Sequence, residues 1–486
     1  MNVEPRTLNQ CNFVCAIEAN ARRFPVKTAV ICEGHKLSWS DLDGFASGFA
    51  KHLSVQGVLR GDRVAIFLPN SIDFVVAFLA ILKLGATPAP LNPQIKPDEL
   101  AAFTTDLRPK LSIDHVVKNR GSWQTIEQPN TPSLILYTSG STGRPKGAVF
   151  SHGALTFANH SWAEPVMGLT PDDIVLVGVP LAHSLGLNGG LLGPLLTGST
   201  VVILERFTPE AVFAAIKNQH VTVLPAVATI FRRLLNAPVF AESDVSTLRL
   251  AVSGAAPCPW ELAQEWKEKT GTRIVRGYGM TELFRPLSFR ADDPSDTPNA
   301  VGKALPGVEI RLALDASASG NDIGELWIKS PAMMDGYLDA PDETTEVISA
   351  GWFKTGDVAT ISPEGYVQIV GRVRERILRG GYSVFPQEIE AVLTSHAAVA
   401  EAAVVAVPDA DLGEEVAAFV SLKPIANITA EGLLAHCRDH LARYKYPRQL
   451  QILPELPKGP TGKILKSALI AQAQADEDSS LSRRYR

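Results

Sequence analysis

The sequence predicts an α/β protein of more than one domain. Apolar runs of strand length recur along its first three-quarters, and segments of helical length lie between several of them. Beyond Gly351 the texture changes to short strands separated by turn signals. At 486 residues the chain is also longer than one packed core needs.

The first ten residues carry charges and lead into no apolar h-region, so no secretory signal is expected. Residues 63–68 (RVAIFL), 200–204 (TVVIL), 221–224 (VTVL) and 248–252 (LRLAV) read as strands. Their apolar character is nearly uninterrupted, which suits a sheet buried on both faces. Residues 74–84 (FVVAFLAILKL) read as a helix ending at Gly85, and Pro209–Gln219 as one opened by a first-turn proline. The segment 174–204 lacks Asp, Glu, Lys and Arg, but Gly186, Gly189, Gly190, Gly193, Pro194 and Gly198 interrupt it. It is expected to break into buried strand, loop and helix pieces and not to span a membrane. Residues 362–365 (SPEG) signal a turn, and Pro386 opens a further helix. A boundary is expected at Arg374, giving domains 1–373 and 374–486, with a frayed tail after Gln474.

Composition narrows the function classes. Hydrophobic residues make up 45% and charged residues 20%, so wholesale disorder is excluded. With 46 basic and 51 acidic residues, the net charge of −5 offers no footprint for nucleic acid and no polybasic handle for a membrane. Five scattered cysteines (Cys11, Cys15, Cys32, Cys258, Cys437) form no CxxC pair, which fits a reducing, cytoplasmic setting better than a disulfide scaffold or zinc ribbon.

The chemically richest segment is 137–147, YTSGSTGRPKG. Glycines let backbone N–H groups converge on an anion, hydroxyls add donors, and lysine adds charge. That combination suits a phosphate, although a polar surface turn is the plain alternative. It is not a Walker loop, because no G-x-x-x-x-G-K-[ST] occurs.

Four further segments follow in order: GYGMTE at 277–282, GWFKTGD at 351–357, GRVRERILRGGYSVFPQEIE at 371–390 and LPKGPTGKI at 456–464. Together the five resemble the adenylate-forming superfamily, in its acyl- and aryl-CoA synthetase branch, collinearly from Phe24 to Leu469. The resemblance implies a large N-terminal domain of stacked α/β subdomains with a β-rich subdomain, plus a small mobile C-terminal α+β domain. It implies a two-step reaction as well. ATP and a carboxylic acid give an acyl-adenylate and pyrophosphate, and a thiol then displaces AMP to form a thioester.

Under this resemblance Thr138, Ser139, Gly140, Ser141, Thr142 and Gly143 hold the β- and γ-phosphates, with Lys146 at the rim. Glu282 is the expected Mg2+ carboxylate and Thr281 its hydroxyl companion. Gly277, Tyr278 and Gly279, with Gly254, Ala255 and Ala256, wall the adenine. Asp357 and Arg372 take the ribose, although a turn aspartate would also explain Asp357. Lys463 is the expected catalytic cation, because displacement at the α-phosphate builds negative charge that an ammonium stabilises. The resemblance makes Arg374 the hinge about which Lys463 withdraws and Gly380 and Gly381 come in to admit a pantetheine arm. Tyr444, Lys445 and Arg379 are weaker candidates for touching the CoA nucleotide, since exposed basic side chains usually only solvate a face.

For the acid, His183 in 180–186 (PLAHSLG) stands where peptide-synthetase domains carry an aspartate for a substrate ammonium, and it is expected near the carboxylate. A core histidine bonded to backbone is the alternative. Ala226, Val227, Ala228, Ser253, Gly254, Gly279 and Met280 are the other expected walls, an open uncharged slot suited to an aryl or medium-length alkyl acid. Arg285 departs from the aliphatic or small residues usual there; a second substrate carboxylate is one explanation and a surface arginine the preferred one. Residues 107–131 are shorter than in typical relatives, which should alter packing or oligomer contacts without loss of chemistry.

The expected co-substrates are ATP, CoA and a small carboxylic acid, with Mg2+ as the ion. A carrier-protein phosphopantetheine is the alternative acceptor, and the oligomeric state is left open, a homodimer included. A non-catalytic relative would have lost Lys463, Glu282 or Asp357, and all three are present. A serine hydrolase lacks its G-x-S-x-G elbow here. A luciferase-like oxygenase shares the adenylation motifs, and nothing specific supports it.

Overall fold

The computed structural model describes residues 12–95, 97–126, 131–138, 145–293, 297–314, 323–380, 382–409, 411–458 and 464–473. By its internal contacts the chain divides into two units, Met1–Ile310 with Ile328–Phe353 and Arg311–Trp327 with Lys354–Arg486.

In the first unit, Thr28–Cys32 (β1) turns back on His35–Ser38 (β2). Ser38 then caps the helix Trp39–Val55 in a reciprocal box with Asp41. Arg63–Ile66 (β3), Thr87–Pro90 (β4) and Leu111–Ile113 (β5) form a small parallel sheet ordered β4-β3-β5. The apolar helix Ile72–Lys83 is buried along its whole length, so even Lys83 is inside, neutralised by Glu18 and Asp43. Residues 114–126 have no regular structure. They press onto the helix Trp39–Val55, where the Gly121 N–H donates to the Gly44 carbonyl at 3.0 Å. A Cβ on Gly48 would come within 1.7 Å of the Asn119 carbonyl oxygen. The stretch is thus held by direct backbone packing on that helix.

Leu134–Thr138 (β6) and Lys146–Phe150 (β7) form an antiparallel hairpin. The larger sheet takes Ile174–Val177 (β8), Thr200–Ile203 (β9), Val223–Ala226 (β10), Leu250–Ser253 (β11) and Ile274–Val275 (β12) in the order β12-β11-β10-β8-β9-β1-β2. Its strands are parallel except for the edge strand β2. The charge-free segment breaks up as expected, into β8, the π-helix Leu185–Leu192, the helix Gly193–Thr197 and β9. No helix among the described residues is long and apolar enough to cross a membrane. Helix Pro209–Gln219 forms with Thr208 as its cap and Pro209 in its first turn. On one face of the sheet Phe231 meets Trp266 edge-on at 5.0 Å, inside an apolar core that includes Leu176, Val202 and Leu224. Gly277–Met280 (β13), Phe284–Ser288 (β14) and Lys303–Ala304 (β15) add a small antiparallel sheet.

Glu309–Leu314 (β16) and Ile323–Lys329 (β17) carry the chain between the units, and Gly336–Tyr337 (β18) pairs with β7 in the first. Ile348–Ser349 (β19) leads to the long strand Trp352–Ile361 (β20), which returns through a turn as Val367–Arg372 (β21). That turn is the predicted one: the Gly365 N–H donates to Ser362 O at 2.8 Å, with φ +86° at the glycine. Beyond it, Ile377–Arg379 (β22), Tyr382–Val384 (β23), Val399–Asp409 (β24), Gly413–Leu422 (β25) and Gln449–Ile452 (β26) form a sheet ordered β23-β22-β25-β24, with β26 beside β25. Helices Pro386–Ser395 and Ala430–His440 close one face over Ile389, Leu393, Val404, Val420 and Leu433. The mixed α/β architecture, with a large N-terminal part and a smaller α+β C-terminal part, is the one the sequence predicts.

Candidate active site

In the large sheet β8 is followed by β9 on one side and β10 on the other, so the strand order reverses at β8. Open α/β sheets bind ligands at the carboxyl ends of their strands beside such a reversal. The candidate acid and adenine residues lie at those ends. Ala226 closes β10 opposite Ser253, which closes β11. Val227 follows and starts the helix Ala228–Leu235, while the Gly254 N–H donates to Ala226 O at 3.2 Å. Ala255 takes the left-handed region at φ +62° and is exposed with Ala256. His183 sits in the turn after β8, its N–H donating to Pro180 O at 3.2 Å. Its ring reaches solvent, yet protein crowds it enough that desolvation lowers its pKa and keeps it neutral.

Strand β13 supplies the next group. Gly277, Tyr278 and Met280 pair with Ser288, Leu287 and Phe284 of β14. A Cβ on Gly279 would lie 1.9 Å from the Phe284 carbonyl oxygen, so glycine is required at that close approach. The chain then makes the 3-10 turn Thr281–Leu283. Glu282 accepts a hydrogen bond from the Tyr337 hydroxyl at 2.9 Å, and the Lys146 ammonium lies 5.2 Å from the centre of the Tyr337 ring. Tyr337 reaches this point because β18 pairs with β7, the strand that Lys146 opens. Sequence reasoning missed Tyr337. Thr138 and Lys146 are cross-strand partners at the mouth of the hairpin; Ser139, Gly140, Ser141, Thr142 and Gly143 lie outside the described residues. One tethered carboxylate with a neighbouring hydroxyl fits magnesium, which takes few protein ligands and completes its shell with water and substrate phosphates. No cluster of three or more His, Cys, Asp or Glu suited to a metal occurs among the described residues.

Three expectations need correction. Arg285 is not a surface arginine: it is 6% exposed, bonded to Ser253 O, Ser288 Oγ and Val275 O, and lies over the Trp162 ring. Trp162 lies far away in sequence, so burial at 285 left no local signal. With a guanidinium against Gly254 and Gly277, that wall is also not uncharged. Arg379 is not an exposed nucleotide contact either. It is buried, pairs with Glu415 at 2.7 Å and donates to Tyr444 O, because β22 lies beside β25. Lys445 is engaged by Glu388 at 2.7 Å.

In the second unit Asp357 and Arg372 are cross-strand partners on β20 and β21, with Nε 2.9 Å from the carboxylate. Asp357 is buried while Arg372 remains partly exposed, so the pair presents a fixed carboxylate beside a cation. Arg374 is exposed on the 3-10 turn Val373–Glu375. Gly380 has φ +57° in the β22–β23 turn, as a tight reversal requires. Gly381 and Lys463 lie outside the described residues; Lys458 and Ile464, on either side of Lys463, form a β-bridge.

The model of the AMP-binding enzyme family matches residues 17–338, and that of the AMP-binding enzyme C-terminal domain matches 388–463. The chain belongs to the AMP-binding enzyme family. As a member of its acyl- and aryl-CoA synthetase branch, it is an AMP-forming acid–thiol ligase, as the five segments imply. One relative, the 3-[(3aS,4S,7aS)-7a-methyl-1,5-dioxo-octahydro-1H-inden-4-yl]propanoyl:CoA ligase of Rhodococcus jostii, is 32% identical over 93% of this chain and 97% of its own. A feruloyl-CoA synthase from Amycolatopsis is 33% identical over 92% and 96%. Among solved structures, ATP-bound MatB from Rhodopseudomonas palustris superposes with TM-score 0.86 at 31% identity, over 95% of this chain and 99% of its own. The anthranilate CoA ligase AuaEII with anthranoyl-AMP gives 0.88 at 26% identity, over 97% and 99%.

Proposed function

We propose that the protein is an ATP-dependent carboxylic acid–CoA ligase working in two steps. In the first, an oxygen of the acid's carboxylate attacks the α-phosphorus of ATP, the bond from that phosphorus to the bridging oxygen breaks, and pyrophosphate leaves. In the second, the thiolate of CoA attacks the acyl carbonyl carbon and AMP departs. The observation that carries this reading is the row of strand ends that gathers His183, Ala226, Ser253, Gly254 and Gly277, continuing through β13 to Glu282 and its Tyr337 bond.

Each residue's role follows from its chemistry. The backbone and hydroxyls of 138–143, with Lys146, receive the terminal phosphates. Glu282 and Thr281 would hold Mg2+, whose charge offsets that of the phosphates. Asp357 accepts from the ribose hydroxyls and Arg372 supplies a second contact. Neutral His183 donates to or orients the acid's carboxylate without adding charge. Lys463 stabilises charge growing between carboxylate and α-phosphate, Arg374 is the pivot, and Gly380 and Gly381 leave room for pantetheine. The scattered cysteines support work in the cytoplasm. Relatives' names supply a range of acids, from feruloyl and long-chain fatty acids to the o-succinylbenzoate of a Bacillus subtilis synthetase.

The test is pyrophosphate release from ATP and Mg2+ over a panel of aryl, alkyl, hydroxy and dicarboxylic acids, followed by thioester detection with CoA or with purified carrier proteins. Acid-dependent pyrophosphate and a CoA thioester are expected. Thioester on carrier protein alone would move the acceptor to a partner protein, and no acid-dependent pyrophosphate would refute the reading.

A further inference from the structure

Arg285 is a buried cation with no ion-pair partner among the described residues. Its Nη1 donates to Ser253 O at 2.7 Å, its Nε to Ser288 Oγ at 2.9 Å and its Nη2 to Val275 O at 3.4 Å. All three acceptors are neutral, and among the described residues no carboxylate lies within ion-pair distance of it. A guanidinium has five N–H groups, so one on each terminal nitrogen is unused. Removing an arginine from water without an anion is costly, and the π face of Trp162, 4.8 Å from Cζ, compensates only in part.

The neighbourhood has further donors without partners. The Ser253 hydroxyl and the Trp162 indole N–H are both buried with no hydrogen-bond partner among the described residues. Native structures rarely leave such groups orphaned, and both belong to residues that touch the Arg285 guanidinium, whose own two spare N–H groups also lack an acceptor. The location is equally specific. The guanidinium fills the volume a side chain on residue 277 would take, since a Cβ there would come 2.4 Å from Cζ; a Cβ on Gly254 would meet Nη1 at 3.4 Å. The charge therefore lies against the same glycines that line the strand-end site.

We infer that Arg285, with Ser253 and Trp162, forms an anion subsite at the inner end of the acid pocket, so that the substrate is a carboxylic acid bearing a second carboxylate. This rests on the ligase reading above. Burial lowers the arginine's pKa to about 9, which still leaves it cationic at neutral pH. A dicarboxylate supplies the missing acceptors, whereas a monocarboxylate of equal length leaves them unmet, which is how polar sites reject apolar analogues strongly.

The experiment measures pyrophosphate release by the full-length protein with ATP and Mg2+, using straight-chain dicarboxylates against monocarboxylates of matched length. The wild type should favour the diacid of its best pair in kcat/KM by roughly 100-fold. Arg285→Met should erase or reverse that ratio, and Ser253→Ala should raise KM for the diacid while KM for ATP stays unchanged. Wild-type kcat/KM for monoacids equal to or above that for diacids overturns the inference while leaving the ligase reading intact, and this comparison needs no variant to fold. Absence of acid-dependent pyrophosphate release with every acid tried would instead sink the ligase reading, and the inference with it.

Discussion

Tyr337 donates its hydroxyl to the Glu282 carboxylate at 2.9 Å, joining two residues far apart in the chain. Burial and this acidic partner both push the phenol's pKa up, so it remains a donor throughout the physiological range. The bond fixes one rotamer of the carboxylate proposed to hold magnesium. Tyr337→Phe should leave the fold intact yet raise KM for the ATP–magnesium complex or lower kcat/KM roughly tenfold, the loss expected for a hydrogen bond to a charged group. Glu282→Gln should cost more. Titration of activity against magnesium checks both, since only a residue acting through the ion shifts that curve.

His152 gives a prediction about stability. Its Nδ1 accepts from the Phe13 N–H at 3.1 Å, its Nε2 is buried without a partner among the described residues, and burial pushes its pKa down from 6.5 to about 4. Protonation is therefore easier in the unfolded chain. The stabilisation is fully present above pH 6.5 and is lost as pH falls toward 4, with a maximum of about 3 kcal/mol. Urea unfolding of the wild type and His152→Gln between these limits should show a slope in the first that is reduced in the second. Parallel pH dependences would contradict the assignment.

His183 should act in its neutral form. Desolvation lowers its pKa from the usual 6.5, so its contribution to adenylation should be nearly flat between pH 7 and 8 and fall on acidification. Comparing kcat/KM for the acid against pH in the wild type and His183→Ala isolates the dependence. A difference that grows between pH 7 and 8 would mean that the imidazole titrates higher than its crowded surroundings permit.

Lys463 should divide the two half-reactions. Lys463→Ala should abolish adenylate formation while thioester formation from supplied acyl-adenylate and CoA continues at a similar rate. Equal losses in both steps would contradict a role confined to the first.

How legible these features were depended on how local their causes are. Pro209–Gln219 was readable to its ends because Thr208 and Pro209 set the start locally. The neighbouring strand was expected at 221–224 and lies at Val223–Ala226, because pairing of Ala226 with Ser253 sets its register and no apolar run can reveal that. The phosphate-loop, ribose and magnesium candidates carried short motifs and could be named in advance. Tyr337 carried none, since only the pairing of Gly336 and Tyr337 with Val149 and Ala148 brings it to Glu282. Arg285 stood out as a departure but was assigned to the surface; its burial depends on Trp162, Ser253 and Gly277, which only the folded chain assembles.

The central claim is that the acid's own oxygen attacks the α-phosphorus of ATP. Supplying an acid labelled with heavy oxygen in its reacting carboxylate, with ATP, Mg2+ and CoA, and analysing the products by mass spectrometry tests it directly. One labelled oxygen per turnover should appear in the phosphate of AMP. Label in pyrophosphate or orthophosphate, or AMP that remains unlabelled while thioester accumulates, would contradict the account.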